Sequence, residues 1–408
     1  VVDSSPSPIL FLRSSPRLGT DIEGRRPGVS HIRAVSEGAH TDLFVCDMSL
    51  NGLFRIVATT DAQPTALLRL LDCQHPAHVE ATDLDADGKT DYVIAILGSR
   101  LPGDHDKGQV IWLRPGNVVT DSVVTILLSD VGRVADVQAA DIDGDDDLDL
   151  IVAEFGWRQS GRILLLRQIQ LDSKPQFSTT VIDRRHGAIH VPVADLDHDG
   201  DLDFVALISQ EHEEVAAFLN RGDGIFERQI IYLASDPSFG SSGIQLVDLD
   251  SDDDLDVLLS NGDTLDSEYL KPYHGVHWLE NRNEFPYRCH NITLLPGVCR
   301  AIAGDLDNDG DLDIAAGAWI PHNIHSRPGT GSDEFETLIW LEQLENQRFE
   351  RHVLHHMPSG GYMALELADT DNDGDQDIIA GRFATGFSSE NEWVDLYENK
   401  GKSRRDRN

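Results

Sequence analysis

Six copies of one nine-residue pattern, D-x-D-x-D-[G/D]-x-x-D, punctuate this chain of 408 residues, beginning at Asp83, Asp141, Asp195, Asp248, Asp305 and Asp369. Their last residues return at steps of 53 to 64 positions, a period that calls for stacked structural repeats rather than one irregular fold. Whatever the chain does, it does on a repeated scaffold.

The spacing within each copy carries chemistry. Carboxylates at positions 1, 3, 5 and 9 of a tight loop bring hard oxygen donors into one small volume, the donor set that calcium prefers. The expected ligands are Asp83, Asp85, Asp87 and Asp91; Asp141, Asp143, Asp145 and Asp149; Asp195, Asp197, Asp199 and Asp203; Asp248, Asp250, Asp252 and Asp256; Asp305, Asp307, Asp309 and Asp313; and Asp369, Asp371, Asp373 and Asp377. In the first copy the backbone carbonyl of Lys89 would add a fifth oxygen. Gly88 permits the turn at position 6, and Asp146 and Asp253 stand there in two other copies. Asp enters left-handed backbone more readily than most residues. An EF-hand is excluded, because it closes on a Glu at position 12 between helices and these loops lie between Val/Ile-rich runs. One acidic turn alone reads as solvated surface; six in register predict up to six Ca²⁺ sites and no other cofactor.

Each loop separates two short apolar runs, such as HVEAT and YVIAIL around Asp83–Asp91 or HVPVA and FVALIS around Asp195–Asp203. A third run follows (VIWLR, ILLLR, VAAFLN, VHWLEN, LIWLEQ, VDLYEN) and then a fourth, such as FERQIIYL. Four strands per repeat without a long amphipathic helix predict an all-β propeller. A degenerate unit without the carboxylate ladder precedes the six, with HIRAV, the loop SEGAHTD ending at Asp42, and LFVCDM. The expectation is therefore a seven-bladed propeller of four-stranded blades, calcium-free in its first blade. The orphan run ILFLR near the start would complete the last blade and close the ring. One domain covers residues 1–408, its core over 9–399, with a disordered basic tail at 400–408.

With these loops and strands, the chain resembles the FG-GAP/VCBS class of calcium-binding propellers, which includes the integrin α-subunit head and many secreted bacterial proteins. The six Asp ladders carry the resemblance, and WLEN (278–281) and WLEQ (340–343) add to it. The resemblance implies calcium loops on one face and ligand binding on the other, but no single activity.

The formal net charge of −38 excludes a nucleic-acid partner, since phosphates would be repelled. Six divalent cations would remove about a third of that charge. No run of 18 apolar residues spans a membrane. The opening VVDSSPSPIL lacks a signal-peptide pattern, so a mature or trimmed chain is expected, placed by its calcium loops in a secreted, periplasmic or cell-surface setting. Cys46, Cys73, Cys289 and Cys299 form no zinc or haem motif; Cys289 and Cys299 bracket one inter-blade connection and are a candidate pair. Arg221-Gly222-Asp223 is a turn rather than an adhesion signal, and Asn291-Ile292-Thr293 fits a glycosylation sequon.

If the loops occupy one face, the start of each innermost strand and the second-to-third strand loops occupy the other. Five residues before each first Asp stand His78, Asp136, His190, Gly243, Arg300 and Ala364; three before stand Glu80, Gln138, Pro192, Gln245, Ile302 and Glu366. Strand alternation turns both tiers toward a central channel. Polar linings are ordinary in water-filled channels. The sharper reading is that His78, His190 and Arg300, with His31, Arg133, His186 and Tyr362 near them, hold an anionic ligand; a transition metal on His78, His190 and Asp136 is a further chemical option. The loops of this face add Trp157, Tyr269, Tyr273, His274, Trp319, His322 and His325. Two functions follow. The favoured one is a non-catalytic binding or adhesion module for a glycan or protein, alone or within an extracytoplasmic assembly. The alternative is a polysaccharide lyase in which Arg300 or Arg133 neutralises a uronate while His190, His78, Tyr273 or His274 moves protons.

Overall fold

The computed structural model describes residues 10–15, 25–38, 40–57, 67–116, 121–170, 175–265, 268–324, 334–345, 347–384 and 392–401. The basic tail from 402 onward and His325 lie outside the described residues. Among the described residues no helix is long and apolar enough to cross a membrane.

The repeat units are four-stranded antiparallel blades. The second unit shows the plan: Pro76–Thr82 innermost, then Asp91–Ile96, Gly108–Arg114 and Val123–Val131 outermost. Strand Asp91–Ile96 is buried along its whole length, whereas the outer strand exposes Val123, Val124 and Ile126. A strand covered on both faces reads as a continuous apolar run, which is why YVIAIL and its counterparts do not alternate. In the fourth unit Pro192 interrupts the innermost strand, leaving Ala188–His190 and Val193–Ala194, because proline has no N–H to give the ladder.

Strand pairing departs from the expected seven separate blades. Five blades stand as their own sheets, and the sixth and seventh units run together into one eight-stranded sheet. The junction is the pairing of Trp319 with Gly361 and Ile320 with Gly360. Gly361, at φ 148°, is forced by closeness: a Cβ there would lie 2.0 Å from the Ala318 carbonyl oxygen. The N-terminal strand Phe11–Ser14 does pair with Val394–Asn399, yet it only extends the outside of this sheet. Among the described residues no ladder joins it to the first blade, so strand pairing leaves the ring open, contrary to expectation. The first and seventh units meet instead through contacts that include the isolated bridge Gly28↔Phe383, the Ala384 N–H on the Pro27 carbonyl at 3.0 Å, the Trp393 indole on Asp47 at 2.8 Å, and shared packing of Val29, Ile32, Ile379 and Trp393.

Between neighbouring units the apolar clusters are continuous: Phe44 and Tyr92 join units one and two, Val93 and Leu150 units two and three, Ile151 and Phe204 units three and four. The four cysteines are all free, Cys289 exposed on an outer strand and Cys299 buried on an inner one, so the candidate disulfide is absent. Tyr362, expected near the channel, is fully buried instead, its hydroxyl on Asp395 and 3.1 Å from that of Tyr397. Trp319, expected on a loop, is buried against Cys299 and Phe383.

A hydrogen-bonded hub repeats at the Asp-loop end of the blades. The ninth-position Asp opens the second strand and accepts the backbone N–H that ends the third: Gln168 to Asp149 (2.7 Å), Asn220 to Asp203 (2.6 Å), Asn281 to Asp256 (2.7 Å), Gln343 to Asp313 (2.8 Å) and Asn399 to Asp377 (2.8 Å). Two of these Asn side chains reach further. Asn220 Nδ2 donates to the Ile142 carbonyl of the preceding loop at 2.8 Å, and Asn399 Nδ2 to that of Leu306 at 2.6 Å. Both Asn residues are fully buried. Removing a buried donor strands its acceptor at a cost of about 1–3 kcal/mol. Asn220→Ala and Asn399→Ala are therefore each expected to lower the calorimetric unfolding midpoint, with the exposed Gln159→Ala as a neutral control; an unchanged midpoint would show that these cross-blade bonds contribute nothing.

Candidate functional site

The six Asp loops share one backbone. The position-6 residue has left-handed φ in every copy: Gly88 84°, Asp146 70°, Gly200 96°, Asp253 72°, Gly310 98° and Gly374 93°. Position 4 is left-handed too (Ala86, Gly144, His198, Ser251, Asn308 and Asn372), which the spacing alone did not foretell. The first Asp holds the turn by accepting backbone N–H groups, for example Asp87 and Gly88 onto the two oxygens of Asp83 at 3.0 and 2.8 Å. The same pair recurs at Asp248 and at Asp369.

The donor chemistry fits a hard cation. Carboxylate oxygens of Asp83, Asp85 and Asp91, of Asp141, Asp143 and Asp145, of Asp195, Asp197 and Asp199, and of Asp248, Asp250 and Asp256 cluster within 4.8 Å of one another. The third-position Asp gives one oxygen to a cation from the end of the third strand or just beyond it, as in Arg114 on Asp85 (3.1 Å), Arg167 on Asp143 (3.1 Å) and Lys400 on Asp371 (3.0 Å). Its other oxygen, Oδ1, is buried without a hydrogen-bond partner in Asp85, Asp143, Asp250 and Asp371. Orphaned buried carboxylate oxygens are costly, and a cation would satisfy them. In the first unit Arg55 instead pairs with Asp42, so a guanidinium stands beside the carboxylate that closes a loop lacking the ladder.

Burial, with the like charge of neighbouring carboxylates, pushes the ninth-position carboxylates up to about 6 at Asp91, Asp203 and Asp377 and about 7 at Asp149, Asp256 and Asp313. An unfolded Asp titrates near ~3.9. Between those values the native state holds protons that the unfolded chain has released, so stability without metal falls as pH rises through about 6 to 7. In chelator the thermal midpoint is expected to drop between about pH 5 and pH 8, and calcium is expected to abolish the drop; a midpoint that rises over that range would contradict it. No neighbour would meet a Cβ at Gly88, Gly200, Gly310 or Gly374, so glycine serves there for its φ alone. Asp146→Gly and Asp253→Gly are expected to stabilise the chelated protein by about 0.5–1 kcal/mol each, read as a raised urea midpoint.

At the opposite end, a β-bulge displaces the register of each innermost strand immediately before one residue of the expected upper tier or its first-unit counterpart. The shifts fall between Val29 and His31, Pro76 and His78, Val134 and Asp136, Ala188 and His190, Ser241 and Gly243, Val298 and Arg300, and Tyr362 and Ala364. Bulges re-aim side chains, and here they present the upper tier. The structure brings His78, Asp136 and His190 together: Asp136 Oδ1 lies 3.0 Å from His78 Nδ1, and Oδ2 lies 3.7 Å from His190 Nδ1 while accepting Val191 N–H at 2.9 Å. The His31 ring lies 4.0 Å from that of His78, centre to centre. Burial raises and the flanking histidines more than reverse the Asp136 carboxyl, which ends well below the usual carboxylate range; burial and Arg300 depress His31 and His190.

Much of this lining also ties unit to unit. Arg300 donates to the Ile244 carbonyl (2.9 Å), Gln245 accepts Ala303 N–H (2.7 Å), Glu366 accepts Ala34 N–H (3.1 Å), and His31 Nδ1 accepts Val79 N–H (3.3 Å). Arg33 pairs with Glu80 at 3.2 Å. Ala364 is buried in the core, not part of a polar tier.

The other candidates stand apart. Arg133 is buried, donates twice to the Gly156 carbonyl and stacks on Phe155 at 4.4 Å. His274 is fully buried, accepts Gly297 N–H on Nδ1 and is pushed down to about 4 by burial and Lys271. Tyr273 is exposed and donates to the Ser238 carbonyl at 3.1 Å. Among the described residues no hydrogen bond, ion pair or ring contact links Tyr273 or His274 to the channel cluster. His186 pairs with Glu211 instead. A missed feature of this face is Asp104, whose Oδ1 gathers the N–H groups of Arg158, Gln159 and Ser160 at 2.9–3.1 Å; it stitches two loops beside a cavity of about 500 Å³ lined by His105, Glu154, Gly161, Arg162 and Arg184.

Comparison with known proteins agrees with this architecture. The family described as FG-GAP-like repeat matches residues 40–152 and 195–259. A search of curated proteins finds no match. Among solved structures, a candidate 6-phosphogluconolactonase from Bacteroides uniformis is similar at 12% identity and a TM-score of 0.49, over 81% of this chain and 86% of that one. With the Asp loops in register at one end of four-stranded blades, the FG-GAP-like repeats matched over residues 40–152 and 195–259 sit in a propeller-like arrangement of blades.

Proposed function

We propose that the chain is a calcium-stiffened, non-catalytic binding module of the cell exterior or periplasm, which grips a glycan or protein on the face opposite the Asp loops. The observation that carries this reading is the contrast between the two faces. One is a set of carboxylate loops. The other exposes Tyr269 (60%), Tyr273 (36%) and Leu101 (71%), with Trp157 half-buried, on loops around a channel mouth rich in paired donors and acceptors. Aromatic planes beside oriented polar pairs suit the apolar face and hydroxyls of a sugar ring. Against a lyase stands the engagement of Arg300 and Arg133 with backbone carbonyls and the separation of Tyr273 and His274 from the channel histidines.

The same reading takes the merged sheet as two blades, giving seven. Its support is that each unit has its own innermost strand and bulge, and that the first and seventh units share an apolar cluster. Calcium in the six loops, and a place in a larger extracytoplasmic assembly, belong to the proposal as well.

The test is calorimetric titration of a glycan panel, uronate polymers included, in calcium buffer, with product absorbance followed in parallel. Saturable binding to one glycan class, weakened at least about tenfold in Trp157→Ala/Tyr273→Ala and unchanged in the outer-strand Ile126→Ser, is the expected result. Unsaturated product formed by the parent and lost in His190→Ala would replace this reading with the lyase; no binding to any glycan would remove the glycan reading.

A further inference from the structure

We infer that His186, Glu211 and His212 form a transition-metal site of the zinc type on the ligand face of the fourth unit. The three donors come from two segments that the fold fixes side by side. His186 lies just before the innermost strand, and Glu211 and His212 lie in the loop between Asp203–Ile208 and Glu214–Asn220. One ligand atom from each falls within 4.8 Å of the others. His186 Nε2 stands 3.0 Å from Glu211 Oε2, and the two imidazole rings are 5.0 Å apart, centre to centre. His212 Nε2 is buried and has no hydrogen-bond partner.

The backbone carrying these groups is held without help from any ion. Gly187 N–H donates to the Phe155 carbonyl at 2.8 Å, and Ser209 N–H donates to the Gly187 carbonyl at 2.8 Å, which clamps the two segments together. Gly187 is required there, since a Cβ would meet the Ser209 oxygen at 2.6 Å. On the other side, the Glu213 carboxylate accepts N–H groups of Gly240 and Ser241 at 3.1 and 2.9 Å. Gln210 and Glu213 both adopt left-handed backbone, at φ 57° and 43°. Such conformations persist only where their surroundings over-determine them, and these two flank the ligating pair. Arg185 is fixed by Asp183 and Glu214, so the residue beside His186 is locked as well.

The donor set selects the metal. Two imidazoles and one carboxylate suit zinc and neighbouring transition ions, whereas calcium wants oxygen alone. Ligand atoms bound at ~2.0 Å in a tetrahedron stand about 3.3 Å apart, so a small turn of the Glu211 side chain, 61% exposed, completes the geometry. Three protein ligands leave the fourth position to water or to an oxygen of a bound molecule. Gly161 packs its backbone against His186 and also lines the 500 Å³ cavity, so that open position adjoins space for a ligand. This site needs neither the Asp loops nor the glycan reading.

The experiment uses the untagged full chain, stripped of metal and returned to excess calcium so that oxygen-only loops are saturated. Cobalt(II) is then titrated by calorimetry and visible absorption, and zinc is added to displace it. One equivalent of cobalt with ligand-field bands, displaced by zinc, is expected. Affinity should fall at least about tenfold in Glu211→Gln and in His212→Gln and stay unchanged in the outer-strand Ile126→Ser. Glu211 is exposed, so its variant keeps the fold even if that of His212 does not. No cobalt bands in the parent, or equal affinity in a folded Glu211→Gln, overturns the proposal.

Discussion

The architecture depends on burying one carboxylate per repeat. The ninth-position Asp opens a strand that is covered on both sides, and Asp203, Asp256 and Asp377 are fully buried there. Its oxygens gather the N–H at the end of the third strand and, in these three copies, the N–H of the loop's own second residue. Loop, second strand and third strand therefore share one acceptor. The price is a charge in a poor solvent, visible in the upward displacement of all six groups. Lys or Arg on the third-position Asp offsets part of it in several copies, and the proposed calcium would offset the rest. Where the ladder is missing, Arg55 stands beside Asp42, a covalently attached cation in place of a bound one.

The other end of the blades is organised by a backbone irregularity rather than by charge. One bulge per innermost strand precedes the same position in each unit, so whatever residue the sequence places there follows the same backbone irregularity. His31, His78, Asp136, His190 and Arg300 occupy five of those positions, Gly243 and Ala364 the others. Chemistry at this position can vary without disturbing the blades, because the bulge recurs whatever the side chain. The limit on that freedom is the cross-unit bonding of Asp136, Arg300 and His31 to neighbouring strands.

Much of this was legible in the residues, and the failures have identifiable causes. The ladder spacing gave the turn at position 6, including Asp146 and Asp253, because a turn type fixes φ locally. The upper tier was found by counting back from each first Asp, since the loop is rigid and the count is the same in every unit. What counting could not reveal was burial decided by distant partners: Tyr362, Arg133, Trp319 and His274 read as candidates for the face and are packed inside by residues far away in the chain. The merging of the last two units is likewise set by close backbone approach at Gly361, which no apolar pattern encodes. The grouping of His186 with Glu211 and His212 is also hidden from the pattern, because these partners lie 25 and 26 positions on, in a loop whose path the repeat does not fix.

If calcium fills the Asp loops, stiffness is the route by which it would reach the opposite end of the blades. The cross-blade bonds of Asn220 and Asn399 end on carbonyls inside the preceding Asp loop, at Ile142 and Leu306, each between a first and a third ligand position. A cation that fixes those loops therefore also fixes the acceptor on which the next blade leans. Buried second strands then carry that order straight to the bulged end, since a strand packed on both faces has no soft mode short of unpacking. Calcium at one face would thus act on the other by narrowing the spread of positions available to His78, His190 and the loop aromatics, not by moving them to a second arrangement, and a preorganised face loses less entropy when it closes on a ligand.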